Sequence, residues 1–191
     1  NGHLYNWYDL KTLEPLPLRY VSTVDSGNFI CALLLCKTFA DPNIVVEIDE
    51  IIAETDFAAL YDEVRGLLRI GWNETEKRFD GYYDLAASEA SATYLAAIGL
   101  NKIPRSAWQN LQRRLASYSG KTLFSWSGGA FEYLLTPVFF KYSKGTLYAE
   151  SAKNSVRAQL RYAREIGSKY YGISESQYYA FENNGDYRYR A

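Results

Sequence analysis

Three glutamates stand in polar, aromatic surroundings near the ends of predicted elements: Glu89 in YYDLAASEAS, Glu132 in WSGGAFEY and Glu175 in YYGISESQYY. Carboxylates set among tyrosine and tryptophan rings suit chemistry on sugars, whose flat apolar faces stack on rings while their glycosidic bonds need acids and bases. Cleavage of such a bond takes two carboxyl groups, one to protonate the departing oxygen and one to act as nucleophile or to activate water. A separation of about 5 Å gives retention and about 6.5 Å or more gives inversion. Each glutamate also has a purely structural reading. Glu89 falls on an Ala/Ser/Leu-rich helix where an acid is commonly a solvated residue, Glu132 could favour the positive end of its helix, and Glu175 could be loop surface. Asp25 in VDSGN and Asp84 in YYDL read more naturally as helix N-caps than as catalysts. The residues by themselves therefore point to a helical domain that binds or cleaves carbohydrate.

Other chemistries find little support. His3 is the single histidine, and no CxxC, HExxH or calcium-loop pattern occurs, which argues against zinc catalysis and against Ser-His-Asp or Cys-His triads. Carboxylates are the main acid/base groups left, and neither a metal nor a cofactor is expected. Net charge is −1 with both signs interspersed, so no basic stripe exists to follow a phosphate backbone, and nucleic acid is not an expected partner. No run reaches the roughly 18 apolar residues of a membrane span, and the first residues lack the basic and apolar regions of a signal peptide. A segment not itself inserted in a membrane is expected. Cys31 and Cys36 fall on one predicted helix, where five positions turn the side chains roughly 140° apart and forbid a bridge between them. The 18 tyrosines and four tryptophans among 191 residues are in excess of what a core needs, and part of that excess is expected to line a binding surface.

The elements that must position these groups are mainly helical. Pro15 and Pro17 rule out a long helix near the start. STVDSGNFICALLLCKTFA reads as a buried helix opened by Ser or Asp caps. LLRIGWN and RFDGYYD, flanking ETEK, read as a small hairpin. LAASEASATYLAAIGL reads as a helix closed near Gly99, and a short helix over about residues 105–116 follows Pro104. SGGAFEYLLTPVFFKY is helical with a break at Pro137. AESAKNSVRAQLRYAREIG is an amphipathic helix stopped by Gly167, and Gly172 onward reads as loop. The length, with 48% hydrophobic residues, fits a single domain over 1–191 or a piece of a larger one.

Four stretches carry a resemblance: NGHLYNWYDLKTLEPLPLRYVSTVDSGN, YYDLAASEA, SWSGGAFEYL and YGISESQYY followed by DYRYRA. They resemble the glucoamylase-like domain of bacterial cyclic β-1,2-glucan synthases, and the similarity runs through essentially the whole chain. The resemblance implies a mainly α fold, an α/α toroid of helical hairpins present here in part, and retaining transglycosylation that closes linear β-1,2-glucan into a ring. It implies Glu89 as general acid/base and Glu175 as the partner carboxylate and nucleophile, with Asp25, Asp84, Trp126, Glu132, Tyr178 and Arg190 lining sugar subsites. It further implies a β-glucan oligosaccharide or polysaccharide as partner, together with the remaining domains of a parent chain anchored in the inner membrane, this segment lying on the cytoplasmic face. Two rival readings stay open: a carbohydrate-binding or structural module without catalysis, and an inverting endo-β-1,2-glucanase.

Overall fold

The computed structural model describes residues 1–181 and 187–190. It is rich in helix, with small antiparallel sheets. The chain divides into two compact units, one of Asn1–Asp84 with Ala90–Gln112 and one of Leu85–Glu89 with Arg113–Ala191.

In the first unit, strand β1 (Tyr20–Ser22) runs into helix α1 (Thr23–Cys36). Ser22 is the cap, its hydroxyl accepting from Asp25 N–H at 3.1 Å, so Asp25 is an exposed first-turn acid and not the cap. Helix α2 (Pro42–Glu54) has no counterpart among the sequence expectations. Its signal was present, since proline at the first turn precedes Val45, Ile48 and Ile52 at helical spacing. Strands β2 (Tyr61–Asp62) and β3 (Leu67–Leu68) pair with each other. The predicted hairpin forms as β4 (Gly71–Asn73) and β5 (Arg78–Phe79), and β1 adds a third strand with Val21 opposite Trp72. His3 is consumed structurally: its ring lies 3.0 Å from Ser26 Oγ, and Nε2 donates to the Asp56 carbonyl at 2.9 Å.

Helix α3 (Ser91–Gly99) begins later than the sequence pattern suggests. Residues 86–90 form bends and turns ahead of it, and Glu89 sits there, not on a helix. Alanine-rich composition favours helix only where the backbone is free to continue it. Buried Ala92, Ala96 and Ala97 let α3 come close to α1, and a Cβ placed on Gly27 would lie 1.9 Å from Thr93 Oγ1. Tyr94 locks the same core, its buried hydroxyl accepting from Leu68 N–H at 2.7 Å and donating to the Tyr83 carbonyl at 2.9 Å. Helix α4 (Ser106–Asn110) is shorter than the expected 105–116. Gln112 diverts the chain, because its N–H donates to the Asp84 carbonyl and its side-chain amide to Asp84 Oδ2, both at 2.7 Å. Asp84 is thereby a tether and not an N-cap.

The second unit opens on a hairpin that sequence reasoning did not find, β6 (Leu115–Ser117) with β7 (Lys121–Leu123), turned at Gly120 with φ 116°. Helices α5 (Ala130–Leu134) and α6 (Thr136–Phe139) break as expected beside Pro137, which has no N–H to continue the ladder. Helix α7 (Leu147–Glu165) is capped by Thr146, and Gly167 adopts φ 68° just beyond it. The residues after Gly172 are not all loop: β8 (Ser176–Phe181) and β9 (Tyr187–Arg190) pair antiparallel. A run of glutamine, tyrosine and phenylalanine suits a pleated surface better than a loop. Cys31 and Cys36 are both free, and burial pushes the Cys31 thiol up to about 11. Among the described residues, no helix is long and apolar enough to cross a membrane.

Gly27→Ala tests the close approach of α1 and α3. Helix propensity alone would make alanine stabilising by about 1 kcal/mol, whereas overpacking costs about 1–3 kcal/mol. The expected outcome is a lowered denaturation midpoint, partly restored by adding Thr93→Ala; a raised midpoint contradicts the packing.

Candidate functional site

The carboxylate of Glu132 organises the site-bearing loop of the second unit. Glu132 is only 5% exposed. Its Oε1 accepts from Trp126 N–H at 2.9 Å, and its Oε2 accepts from the N–H groups of Ser127, Gly128 and Gly129 at 3.0, 2.9 and 3.3 Å. The hydroxyl of Ser127 adds a further contact to Oε2 at 2.6 Å. Four consecutive amides converge on one anion because Gly128 takes φ 77°, a left-handed turn that glycine adopts without strain. SGGAFE therefore encodes an anion nest closed by its own glutamate, and the bond from Gly129 N–H is the reach-back half of a capping box at the start of α5. With its lone pairs directed at these donors, Glu132 is a buried structural carboxylate.

Glu175 stands beside this loop, half-buried. Its two oxygens have different partners: Oε1 lies 3.1 Å from Ser127 Oγ, and Oε2 lies 2.9 Å from Ser174 Oγ. The backbone leading to it is pinned. Gln159 of α7 binds both amide groups of Ile173, accepting from its N–H at 2.9 Å and donating to its carbonyl at 2.8 Å. Ala130 N–H donates to the same carbonyl at 2.7 Å, and Phe131 N–H to Ser174 Oγ at 3.1 Å. A glutamate that reads from sequence as loop surface is thus held from two helices. A Cβ on Gly129 would come within 2.8 Å of Glu175 Oε1, so glycine there is what admits the carboxyl group.

Helix α7 positions all this with an unusual inner face, since its buried residues are Ser151, Asn154, Ser155 and Ala163. Small polar side chains reach the backbone of the neighbouring hairpin: Ser151 Oγ accepts from Leu123 N–H at 2.9 Å, and Asn154 donates to the Lys121 carbonyl at 2.9 Å. At the far end Arg161 lies over the Tyr118 ring at 4.4 Å and donates to the Tyr118 carbonyl at 2.9 Å. The Tyr118 hydroxyl bonds Glu165, which holds that carboxyl below its usual range and raises the phenol. Between hairpin and helix lies a hollow of about 320 Å³ walled by Tyr118, Tyr133, Tyr162, Gln159 and Ser127.

The structure brings together some of the residues singled out from sequence and leaves others apart. Glu132 and Glu175 meet across Ser127. Glu89 is half-buried two residues beyond Ala87, and Ala86 and Ala87 share a small cavity with Glu132, Tyr133 and Tyr148. Trp126 is 49% exposed at the loop crest. Asp25 belongs to the first unit, at a hollow lined also by His3, Tyr5 and Phe29, and Asp84 is the tether described above. Tyr178 and Arg190 have their backbones on β8 and β9, while their side chains lie outside the described residues. Ser127, Ser174 and Gln159 went unselected; the serines were visible as neighbours of the chosen glutamates, but Gln159 carried no local signal. Among the described residues no cluster could hold a metal ion.

Glu132→Gln removes the charge on which four amides converge, and hydrogen bonds to a charged group are worth about 1.5–3 kcal/mol. Amide hydrogen exchange over residues 126–129 should accelerate about tenfold or more while that of α1 stays unchanged. Equal protection in both proteins would contradict the nest.

No family model matches the chain. Over 142 residues, 73% of its length, it is 33% identical to the cyclic beta-(1,2)-glucan synthase NdvB of Rhizobium meliloti (strain 1021), and it spans 5% of that protein. The fold is similar to that of a solved glucoamylase-like protein of Bacteroides caccae ATCC 43185, with a TM-score of 0.63 and 14% identity, over 96% of this chain and 49% of that one. Sequence and fold together place this chain with the glucoamylase-like domains of cyclic β-(1,2)-glucan synthases.

Proposed function

We propose that the chain contributes the carboxyl pair of a retaining glycosyl transfer on β-1,2-glucan, within a larger synthase and as part of an α/α toroid. Glu175 and Glu89 are the pair. The observation that carries this reading is the clamped, two-sided environment of Glu175, a half-exposed carboxyl group fixed by serines on both oxygens and bordered by a tyrosine-lined hollow. The relatedness to a glucan synthase supplies the substrate class.

The division of roles follows the resemblance. Ser127 and Ser174 direct their hydroxyl groups at the two oxygens of Glu175, at 3.1 and 2.9 Å, and donors on both oxygens suit a carboxylate nucleophile. Glu89 protonates the departing glycosidic oxygen while Glu175 attacks the anomeric carbon, so the C–O bond breaks as a glycosyl ester forms. In the second step the acceptor hydroxyl gives its proton to Glu89 and displaces Glu175. When the acceptor is the non-reducing end of the same glucan, the product is a ring; when it is water, the product is hydrolysed chain. Exposed tyrosine and tryptophan faces hold the sugar and limit water, which favours ring closure.

Alanine variants of the full-length protein, assayed on linear β-1,2-glucan and, with added azide, on a β-1,2-glucooligosaccharide bearing a dinitrophenyl leaving group that departs without a proton, test both the pair and its roles. Each variant alone should lose about 100-fold or more of turnover. Azide should restore Glu175→Ala as an α-glycosyl azide and Glu89→Ala as a β-glycosyl azide. Exchanged products would reverse the roles, and undiminished turnover in both variants would favour a binding module.

A further inference from the structure

Residues 65–82 of the first unit join aromatic rings and guanidinium groups in one series of contacts. Trp72 and Phe79 stand opposite each other on β4 and β5, their ring centroids 4.7 Å apart. The Arg69 guanidinium lies over Phe79 at 4.7 Å and over Tyr82 at 5.0 Å, and Arg65 lies over the same Tyr82 ring at 4.6 Å. Asp62 ties the series together, pairing with Arg69 at 2.6 Å and accepting from the Tyr82 hydroxyl at 2.8 Å. Each contact is small, but in series they hold Trp72 and Phe79 in one arrangement by packing.

Those two rings wall a hollow of about 510 Å³ shared with Tyr5, Val21, Leu60 and Glu74, a size usual for a small-molecule site. Glu74 Oε1 is bonded to Lys77, and Oε2 accepts from Trp72 Nε1–H at 2.7 Å. Lys77 and then Trp72 hold this carboxyl below its usual range, so it is ionised. Each of its oxygens keeps a lone pair for a further donor, while the indole, its N–H already used, offers a ligand its ring. Apolar ring surface beside a charged acceptor matches a pyranose, which presents a flat C–H face and a rim of hydroxyl donors. We propose that the hollow bounded by Tyr5, Trp72, Phe79 and Glu74 is a glucan-holding subsite, built from residues outside the reacting pair. The choice of β-1,2-glucan as its ligand rests on the function proposed above. Rings fixed before the sugar arrives lose little freedom on binding it. Contacts away from the reacting bond act alike on substrate and transition state, so their effect falls on KM and not on kcat.

The test uses the full-length protein carrying Glu175→Gln, so that glucan binds without turnover. Oxidation of each tryptophan by N-bromosuccinimide is followed by mass spectrometry in linear β-1,2-glucan and in an equal mass of α-1,4-glucan. The β-1,2-glucan should slow oxidation of Trp72 selectively. In the protein with Glu175 intact, Trp72→Ala should raise KM for linear β-1,2-glucan about fivefold with little change in kcat, and Trp72→Phe should restore most of the loss. Unslowed oxidation of Trp72 beside slowed oxidation of Trp126, whose loop contacts Glu175, would remove this subsite alone. Unslowed oxidation of both would remove the glucan reading as well. An unchanged KM in Trp72→Ala, with or without a fall in kcat, would make the ring structural and overturn the proposal.

Discussion

The architecture of the second unit depends on one buried negative charge. An isolated carboxylate removed from water is among the costliest groups a protein can bury, and Glu132 is tolerated at 5% exposure because the amides of residues 126–129 and the Ser127 hydroxyl surround it. The constraint runs in both directions. The loop supplies the donors the carboxylate requires, and the carboxylate supplies an acceptor shared by four consecutive amides just ahead of α5. Ser127 gains its position from this arrangement, and through Ser127 so does one oxygen of Glu175.

A second set of constraints comes from α7. Polar side chains along a buried helix face usually weaken packing, yet Ser151, Asn154 and Gln159 each end on a backbone group of another segment. They convert the helix into a ruler that fixes the β6–β7 hairpin on one stretch and residues 172–175 on another. Precise placement of a carboxyl group needs supports of this kind, since a loop held only by its ends samples too many positions for its side chains to keep one geometry. Tyr118 of the hairpin, Tyr133 of α5 and Tyr162 of α7 wall the neighbouring hollow, amphipathic and partly exposed.

Much of this architecture was legible in the sequence where local chemistry decided the outcome. The break beside Pro137, the stop at Gly167, the β4–β5 hairpin and the helix α1 all followed from residues whose backbone preferences are strong, although α1 is buried only as far as Cys31 and exposes Leu35 and Cys36 at its end. Elements decided by partners far along the chain were not legible. Glu89 reads as helical until its segment is seen as bends and turns before α3, and residues 111–116 read as helical until Gln112 is found bonded to Asp84. Asp25 and Asp84 have cap-like neighbours, but the cap of α1 is Ser22 and Asp84 accepts from Gln112 instead. At the site, glutamates between serines and aromatic rings stood out by composition, whereas the sharing of Ser127 by Glu132 and Glu175 joins positions 48 apart in the chain and leaves no local trace.

Taken together, a fixed anion and a serine beside it hold one oxygen of Glu175 in place, and the proposed mechanism sets Glu89 against it as the second carboxyl group. The account stands on the stereochemistry this pairing enforces, because an acid/base and a nucleophile acting in turn invert the anomeric carbon twice. Proton NMR of the full-length protein acting on linear β-1,2-glucan, recorded before mutarotation, reads that outcome directly. The reducing ends released by water should first appear as the β-anomer; initial appearance of the α-anomer would contradict a Glu175 nucleophile and the mechanism built on it.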